Sequence, residues 1–295
     1  MYLSTQTDTA CTRFGYEHGI EIIAKAGFDA LDLSMFNMEY DDSPFITPDC
    51  EDFVLKLKKI AEDNGVFFNQ AHAPFPPIDP YNDEYTEKIF PRTCKSIELA
   101  GIVGARQIIV HPVDFMRNVF YPNAEKKKVN KEKNIEMYNK LAEYAKPYGI
   151  KIALENMWDW NPNREVITSN VCSDPVEFAD FLDALDSDIF CACLDIGHCG
   201  LVGVDEKDAI ETLGHDKLQA LHVHDTDYIH DMHTAPYTAK LDWKKITKAL
   251  KDIDYSGDLT FEADYFFANM PNELLESAYK FLHDIGRILI SEIKG

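Results

Sequence analysis

The sequence predicts an α/β fold, a single (β/α)8 TIM barrel that spans residues 1–295. Two observations lead to this prediction. Short apolar runs alternate with amphipathic helical patterns along the whole chain, and no linker rich in Pro, Gly or Ser divides it. Seven of these runs stop at a histidine or a carboxylate. Side chains so far apart in sequence meet only where parallel strands end on one face.

The first half of the barrel is predicted from four strand–helix units. Gly27 suits the left-handed conformation that follows a helix, and Pro48 is tolerated at the first position of the next helix. Phe53, Leu57 and Ile60 of that second helix recur on one face. The predicted strands of this half are 2–8, 28–35, 66–72 and 106–112, and the predicted helices are 16–26, 48–64, 89–100 and 134–148.

The second half repeats the same alternation. Asp174, Pro175 and Glu177 form a capping-box pattern, with Asp174 at the N-cap, Pro175 at the first helical position and Glu177 at the third. The predicted strands of this half are 150–156, 189–197, 218–225 and 259–264, and the predicted helices are 175–185, 243–250 and 274–293.

A doubly wound parallel sheet is the main rival to the barrel. Such a sheet usually carries a glycine-rich phosphate loop after its first strand, and neither G-x-G-x-x-G nor G-x-x-x-x-G-K-[ST] occurs here. The barrel is therefore preferred, and its active site is expected at the carboxyl ends of the strands.

Net charge and cysteine content limit the classes of function that the protein can have. The formal net charge is -22, with 51 acidic and 29 basic residues, so the surface would repel nucleic acid and anionic lipid. We see no secretory signal at the N-terminus and no apolar run near the roughly 20 residues that a membrane helix needs. The seven cysteines are scattered without a C-x-x-C pair, which favours free thiols and a cytoplasmic location.

Two connections are long. The segment 114–133 carries five lysines and is expected to be a solvated loop that leads into a helix. The segment 158–172 follows strand five and contains Trp158, Trp160 and Arg164. Loops over a barrel mouth often contact the substrate, so we expect at least one of these three side chains to do so.

Carboxylates and imidazoles at the strand ends point to a divalent metal. Glu155, Asp195 and Glu262 offer carboxylate oxygens, and each would be costly to bury unpaired. His222 and His224 are two positions apart, so both face the same side of their strand and either is a candidate ligand. Carboxylates favour Mn or Mg and histidines favour Zn, so the metal stays open among Mn, Zn, Co and Mg.

Other histidines and one aspartate surround this set. Asp231 and His233 lie on one face of an extended segment, and with His198 they form a second candidate site. The alternative is that they organise the loop or contact the substrate directly. His72 and His111 end two further strands, where they would bind substrate hydroxyl groups or a second metal.

Two carboxylates that face each other across a metal suit proton transfer. A metal that holds a carbonyl and the adjacent hydroxyl acidifies the C–H bond alpha to the carbonyl, because it stabilises the enediolate. Glu155 would remove that proton and Glu262 return one, or the reverse. The outcome would be isomerisation or epimerisation.

These motifs resemble the xylose isomerase-like TIM-barrel superfamily, which holds sugar-phosphate isomerases and epimerases, ketose 3-epimerases, inosose dehydratases and endonuclease IV. The resemblance spans almost the whole chain, and the ordered set of motifs is more specific than any one of them. In order, the motifs are GFDALDLS, AHAPF, VHP, LENM, LDIGH, HVHD followed by D-x-H and LDW, and FEAD.

The resemblance implies roles for individual residues. The shared metal would be held by Glu155, Asp195, His222 and Glu262. His222 is preferred to His224 because the family's ligand is the first residue of its H-x-x-[DE] run. In the epimerase branch the counterpart of His198 contacts the substrate, and Glu155 and Glu262 would form the acid/base pair.

The endonuclease IV branch supplies a hypothesis of a different class, DNA repair with three zinc ions. Its metal positions resemble nine residues that are all present in this chain. Net charge disfavours it, since duplex binding needs a basic face and several phosphate contacts. The nine residues are His72, His111, Glu155, Asp195, His198, His222, Asp231, His233 and Glu262.

The resemblance also allows a lyase, either an inosose dehydratase-like enzyme or the metal subunit of a C-glycoside deglycosidase. A non-catalytic binding barrel is disfavoured because the ligand set is complete. Our hypothesis is therefore a cytoplasmic, metal-dependent sugar or sugar-phosphate isomerase/epimerase with a small carbohydrate substrate. No phosphate-binding loop is evident, so the sequence leaves open whether the substrate carries a phosphate. Family members are often dimers or tetramers, which makes a homo-oligomer an expectation.

Overall fold

The computed structural model describes residues 1–295 and confirms the predicted (β/α)8 barrel. Eight parallel strands close into a barrel in the order β1-β10-β9-β8-β5-β4-β3-β2, and β6 and β7 form a separate antiparallel hairpin. The strands are β1 (Leu3–Gln6), β2 (Ala30–Ser34), β3 (Phe67–His72), β4 (Gln107–Ile109), β5 (Lys151–Glu155), β6 (Trp158–Asn161), β7 (Val166–Ser169), β8 (Phe190–Asp195), β9 (Leu218–Val223) and β10 (Leu259–Phe261).

Helices surround the barrel on its outer side. None of them combines the length and the apolar character that a membrane crossing requires. Three short 3-10 segments cover Phe36–Glu39, Pro44–Ile46 and Lys146–Tyr148. The α-helices are α1 (Asp8–Phe14), α2 (Tyr16–Ala26), α3 (Cys50–Asp63), α4 (Asp83–Val103), α5 (Ala124–Ala145), α6 (Pro175–Leu182), α7 (Ile196–Leu201), α8 (Glu206–Lys217), α9 (Trp243–Asp252), α10 (Asp264–Phe267) and α11 (Asn272–Lys294).

Alternation along the strands builds the two layers of the core. Ile108 belongs to the large apolar cluster that also contains the buried faces of the helices, whereas its neighbour Ile109 belongs to a small cluster with Ala153 and Ala220. Because successive side chains of a strand point to opposite faces, the small cluster fills the barrel interior. Burial of both strand faces accounts for the continuous apolar runs in the sequence.

Capping residues predicted from the sequence lie at the ends of two helices. Gly27 follows α2 with φ 102°, a conformation that glycine adopts without steric cost. The Asp174 carboxylate accepts hydrogen bonds from the backbone N–H groups of Val176 and Glu177 at the start of α6, which confirms the predicted N-cap.

The lysine-rich segment differs from its prediction. α5 begins at Ala124, earlier than predicted, so all five lysines lie on a helix and not on a solvated loop. The Lys126 side chain is fully buried, and its Nζ donates to Oδ2 of Asp114 at 2.6 Å. A buried lysine persists only when it is paired in this way.

Other elements were outside the predicted set. α1, α8 and α10 were not predicted, and the segment predicted as a loop after strand five contains the β6–β7 hairpin. The predicted strand 189–197 ends at Asp195, where α7 begins with the Asp195 side chain as its N-cap. This cap brings the Asp195 carboxylate to the end of the barrel.

Candidate metal and active site

The predicted site residues lie at the carboxyl end of the barrel. His72, Glu155 and Asp195 are the last residues of β3, β5 and β8, and Glu262 directly follows β10. His222 lies in β9 opposite Asp195. Strand ends from across the chain therefore converge, as the closed parallel topology requires.

One buried group contains His72, Glu155, His222 and Glu262, whose ligand-type atoms lie within 4.8 Å of one another. Nδ1 of His222 is 3.2 Å from Oε2 of Glu155 and 2.8 Å from Oε2 of Glu262. The rings of His72 and His222 stack with their centroids 4.6 Å apart. Two carboxylates thus flank one buried imidazole nitrogen at the edge of the barrel interior.

Five atoms of this group are buried without a hydrogen-bond partner of normal geometry. Two are the ring nitrogens of His72, and the other three are Oε2 of Glu155, Nδ1 of His222 and Oε2 of Glu262. A buried polar atom without a partner costs free energy. The three atoms converge on one point, and carboxylate oxygen with imidazole nitrogen is a donor set that divalent ions accept. The arrangement fits a metal ion.

Electrostatics support the same conclusion. Burial raises the pKa of Glu155, but the charges of His222 and His111 outweigh burial and hold this pKa well below its usual range. Burial lowers the pKa of His222, yet Cys193, Glu262 and Glu155 raise it well above its usual value. The carboxylates therefore favour a cation at this place, which a divalent ion would supply in exchange for a proton.

Asp195 lies beside the four-residue group and is placed with Glu155 and His198. Its Oδ1 accepts a hydrogen bond from the backbone N–H of His198 at 2.7 Å and lies 3.0 Å from Nε2 of His224. Its Oδ2 is 4.0 Å from Nδ1 of His222. Asp195 thus lies beside both His222 in β9 and His224, which directly follows β9.

A second group consists of His198, His224, Asp231 and His233. Nε2 of His233 lies 3.1 Å from Oδ1 of Asp231, and the rings of His224 and His233 stack with centroids 4.0 Å apart. The sequence grouped Asp231 and His233 with His198, and the structure brings these three residues together. His224 belongs to this second group, whereas His222 belongs to the first.

His111 joins the first group from the side. Its Nε2 lies 3.1 Å from Oε2 of Glu155, and its ring centroid is 6.1 Å from that of His72. Both histidines therefore reach the centre that the sequence predicted for them.

A pocket of about 480 Å³ opens above this centre. Phe36, Phe75, Met157 and Trp158 supply its apolar wall. Nε1 of Trp158 donates a hydrogen bond to Oδ2 of Asp231 at 3.2 Å. The pocket is of the size and mixed polarity that small ligands occupy.

The other two candidates of this loop lie outside the pocket wall. Trp160 and Arg164 are not among the residues that line the pocket, and Trp160 is 49% exposed. A larger polar depression of about 720 Å³ lies at the opposite end of the barrel, around Asn69, Arg106 and Ser256, away from every predicted ligand.

Sequence reasoning missed a buried polar network beneath the pocket. Nε2 of Gln6 donates to Oε1 of Glu262 at 2.6 Å, and Nε2 of Gln70 donates to Oδ2 of Asp32 at 2.7 Å and lies 3.3 Å from Nε2 of His222. These side chains hold the candidate ligands in position. Gln70 follows the apolar start of β3 and could have been noticed for that contrast, whereas Gln6 follows Ser4 and Thr5 and carries no such signal.

Two further residues organise the loops of the site. The Asn156 side chain accepts from the backbone N–H of Asp195 at 2.7 Å and donates to its carbonyl at 2.9 Å. The Asp225 carboxylate accepts from the backbone N–H groups of Lys240 and Leu241 and from Nε1 of Trp243. The segment that carries Asp231 and His233 is closed by these bonds.

Comparison with known proteins agrees with this architecture. A family described as "Xylose isomerase-like TIM barrel" matches residues 20–285. Among curated relatives, the uncharacterized protein y4fM of Sinorhizobium fredii is 27% identical over 166 residues, which cover 56% of this chain. The match spans 50% of that relative, or about half its length.

Two sugar epimerases are also similar. The D-psicose 3-epimerase of Agrobacterium fabrum is 23% identical over 251 residues, covering 82% of this chain and 77% of the relative. A crystal structure of a D-psicose 3-epimerase in the presence of D-fructose superposes with a TM-score of 0.73 at 16% identity, covering 100% of both chains. At this identity the structural likeness establishes the fold.

Proposed function

Because this chain belongs to the xylose isomerase-like TIM-barrel family, we propose that it is a divalent-metal-dependent sugar isomerase or epimerase. The observation that carries the proposal is the convergence of Oε2 of Glu155, Nδ1 of His222 and Oε2 of Glu262 at the base of the pocket. The similar D-psicose 3-epimerases support a carbohydrate substrate.

Glu155, Asp195, His222 and Glu262 would hold the metal in this proposal. A bound divalent ion would polarise a substrate carbonyl and stabilise the negative charge that develops when the alpha proton leaves. His72 contacts the same group through Glu262, with Nε2 3.8 Å from Oε1 of that carboxylate.

The two glutamates would move the proton. Both line the pocket, and each has a second oxygen beyond the one near His222. Oε1 of Glu155 is 3.3 Å from Nδ1 of His198, and Oε1 of Glu262 accepts from Gln6. A proton removed by one glutamate and returned by the other from the opposite side of the carbon would invert that carbon.

Solvent-exchange measurements test the proposal. Metal-loaded protein is incubated with free and phosphorylated ketoses in deuterated water, and the products are analysed by NMR and mass spectrometry. The proposal expects deuterium at the carbon alpha to the carbonyl, together with an epimer or isomer. Loss of water or of a substituent from the product would indicate a lyase instead, and no exchange with any sugar would contradict the proposal.

An endonuclease function is the second candidate, because one observation favours it. All nine residues that match the nuclease pattern lie around the barrel mouth, in overlapping groups. The net charge of -22 opposes it, since phosphate contacts require basic residues. Cleavage of DNA with an abasic site by zinc-loaded protein would establish this candidate and replace the first.

The cellular location is proposed from the cysteines. All seven are free and buried. Free thiols are kept reduced in the cytoplasm, where we place the protein.

A further inference from the structure

The pocket wall contains no lysine and no arginine. Four carboxylates line it, those of Glu39, Glu155, Asp231 and Glu262. A divalent ion would balance two of these negative charges, so the pocket stays unfavourable for an anion. Binding a phosphate group would require cationic partners or a row of free backbone N–H groups.

Each histidine of the wall has at least one ring nitrogen beside a protein oxygen atom. Nε2 of His111 lies 3.1 Å from Oε2 of Glu155, and Nδ1 of His198 lies 2.9 Å from the carbonyl of Asn156. The two ring nitrogens of His233 lie 2.9 Å from the carbonyl of Glu262 and 3.1 Å from Asp231. Nδ1 of His111 has no partner, so these rings offer a phosphate at most isolated ring nitrogens, with no lysine or arginine beside them.

Two cations that contact segments of the pocket wall are also paired. Arg92 donates to the carbonyls of Met38 and Tyr40 at 2.8 and 3.2 Å, and to Oδ1 of Asp41 at 2.6 Å. Lys126 is buried against Asp114. Each would have to break protein contacts before it could reach a ligand.

Glu39 is the one lining carboxylate outside the metal-type groups. It ends the 3-10 segment Phe36–Glu39, whose final carbonyls Arg92 binds. Lys88 and Arg92 pair with Asp41, which leaves the Glu39 carboxylate without a cationic partner. A carboxylate that faces a pocket without a cationic partner accepts hydrogen bonds from hydroxyl groups and repels anions.

We propose that the substrate is an uncharged, unphosphorylated polyhydroxy carbonyl compound and that Glu39 is a specificity-determining residue. Glu39 accepts hydrogen bonds from substrate hydroxyl groups and rejects phosphate esters. Phe36, Phe75 and Trp158 provide apolar surface for the C–H groups of the same ligand. The inference rests on the proposed sugar isomerase or epimerase function and narrows its substrate class.

Binding tests the inferred substrate class, and proton exchange tests the proposed function. The two are measured separately, so that failure of one can be told from failure of the other. Metal-loaded protein is titrated calorimetrically with a panel of free ketoses, D-fructose included, and with their terminal phosphate esters. Deuterium exchange is then followed for every compound. The inference expects at least one free ketose to bind at least tenfold more tightly than its own ester.

A phosphate ester that binds as tightly as its free ketose would overturn the inference, even if exchange supports the proposed function. A panel in which no free ketose binds would also overturn it. Free ketoses that bind with the expected preference but exchange no proton would support the inference and contradict the proposed function.

Variants at Glu39 test its role. Glu39→Gln keeps the size and removes the charge, and it should weaken binding of the free ketose roughly tenfold, because a charged acceptor is lost. KM should rise while kcat changes little, and the preference over the ester should shrink. The matched control is Asp42→Asn, an exposed carboxylate of the same connection that does not line the pocket. Equal effects of the two changes, or an unchanged preference in Glu39→Gln, would overturn this role.

Discussion

Glu155 and Glu262 approach the same ring nitrogen of His222 from two sides, at 3.2 and 2.8 Å. At the residue scale this pair is the centre of the proposed chemistry. Glu155→Gln and Glu262→Gln keep the shape of each side chain and remove its ability to take a proton. Turnover should fall by at least ~100-fold in each, since acid/base groups typically contribute ~10²–10⁴. Steady-state kinetics measure the loss, and circular dichroism should show an unchanged fold; full activity in either variant contradicts the mechanism.

Gln6 acts on this centre indirectly, through its 2.6 Å hydrogen bond to Oε1 of Glu262. Gln6→Met removes the donor at similar size, and supporting bonds of this kind are typically worth ~10–100-fold in metal affinity or activity. We expect kcat or metal affinity to fall within that range. Gln219→Met is the matched control, because Gln219 lies around the depression at the opposite end of the barrel. If both variants behave alike, Gln6 has only a structural role.

The sequence predicted the candidate ligands better than their supports. His72, Glu155, Asp195 and Glu262 were found because each stands where an apolar run stops. Gln6 and Gln70 were missed, because a polar residue within a strand pattern ordinarily predicts a solvent-facing position. Their burial follows only once the barrel closes and the interior side of each strand is known.

At the scale of elements, α5 anchors the hairpin that supplies Trp158 to the pocket wall. Nζ of Lys126 donates to Asp114 at 2.6 Å and lies 3.9 Å from Oδ2 of Asp159 on β6. Lys126→Met leaves Asp114 without its buried partner, and breaking such pairs typically costs ~3–5 kcal/mol. Urea unfolding should show that loss of stability.

Lys128→Met provides the control for this change, since the Lys128 side chain is 73% exposed on the same helix. Exposed substitutions usually change the free energy of unfolding by less than ~0.5 kcal/mol. Comparable stabilities of the two variants would contradict the anchoring role of Lys126.

These elements were also where sequence-based prediction failed. The first turns of α5, AEKKKVNKEK, carry no apolar periodicity, so only the cap formed by Asn123 marks their start. Besides the Lys126 contact, the β6–β7 hairpin is held by its own pairing and by the loop contact between Met157 N–H and the Val171 carbonyl. Neither feature produces the regular burial pattern from which the barrel strands were predicted.

α11 is joined to the start of β2 by Arg287, whose guanidinium donates to both oxygens of Asp29 at 2.7 and 2.8 Å. Burial raises the pKa of Asp29, but Arg287 and the backbone N–H of Leu3 outweigh burial and lower this pKa overall. A carboxylate with a lowered pKa stabilises the fold above its unfolded pKa of ~3.9, and this stabilisation is lost as pH falls through the folded pKa.

Asp29→Asn should therefore be less stable than wild type at pH ~7, and the difference should narrow as the pH falls below ~4. Urea unfolding across this pH range measures both curves. Asp52→Asn is the control, because Asp52 is exposed on α3 and does not contact Arg287. A stability difference that does not change with pH would contradict the assignment to Asp29.

At the scale of the whole molecule, closure of the barrel makes the site. β1 pairs with β10, and Ser4 and Thr260 share a 2.7 Å hydrogen bond across that seam. Closure brings Glu262 beside Gln6 and opposite Glu155, residues that lie far apart in sequence. The alternation of apolar runs and helices predicted this architecture from the sequence, whereas the single-domain organisation over residues 1–295 stays a prediction. The metal site depends on the intact barrel, so folding and metal affinity should be coupled.

Metal content is the measurement that tests the central claim most directly. Protein purified without added metal is analysed by mass spectrometry for bound ions, then stripped and titrated with Mn, Zn, Co and Mg in turn. The account predicts one tightly held divalent ion per chain and a melting temperature that rises with its concentration. The Glu262→Gln variant should lose this metal uptake. A chain that holds no ion and takes up none on titration would contradict the account.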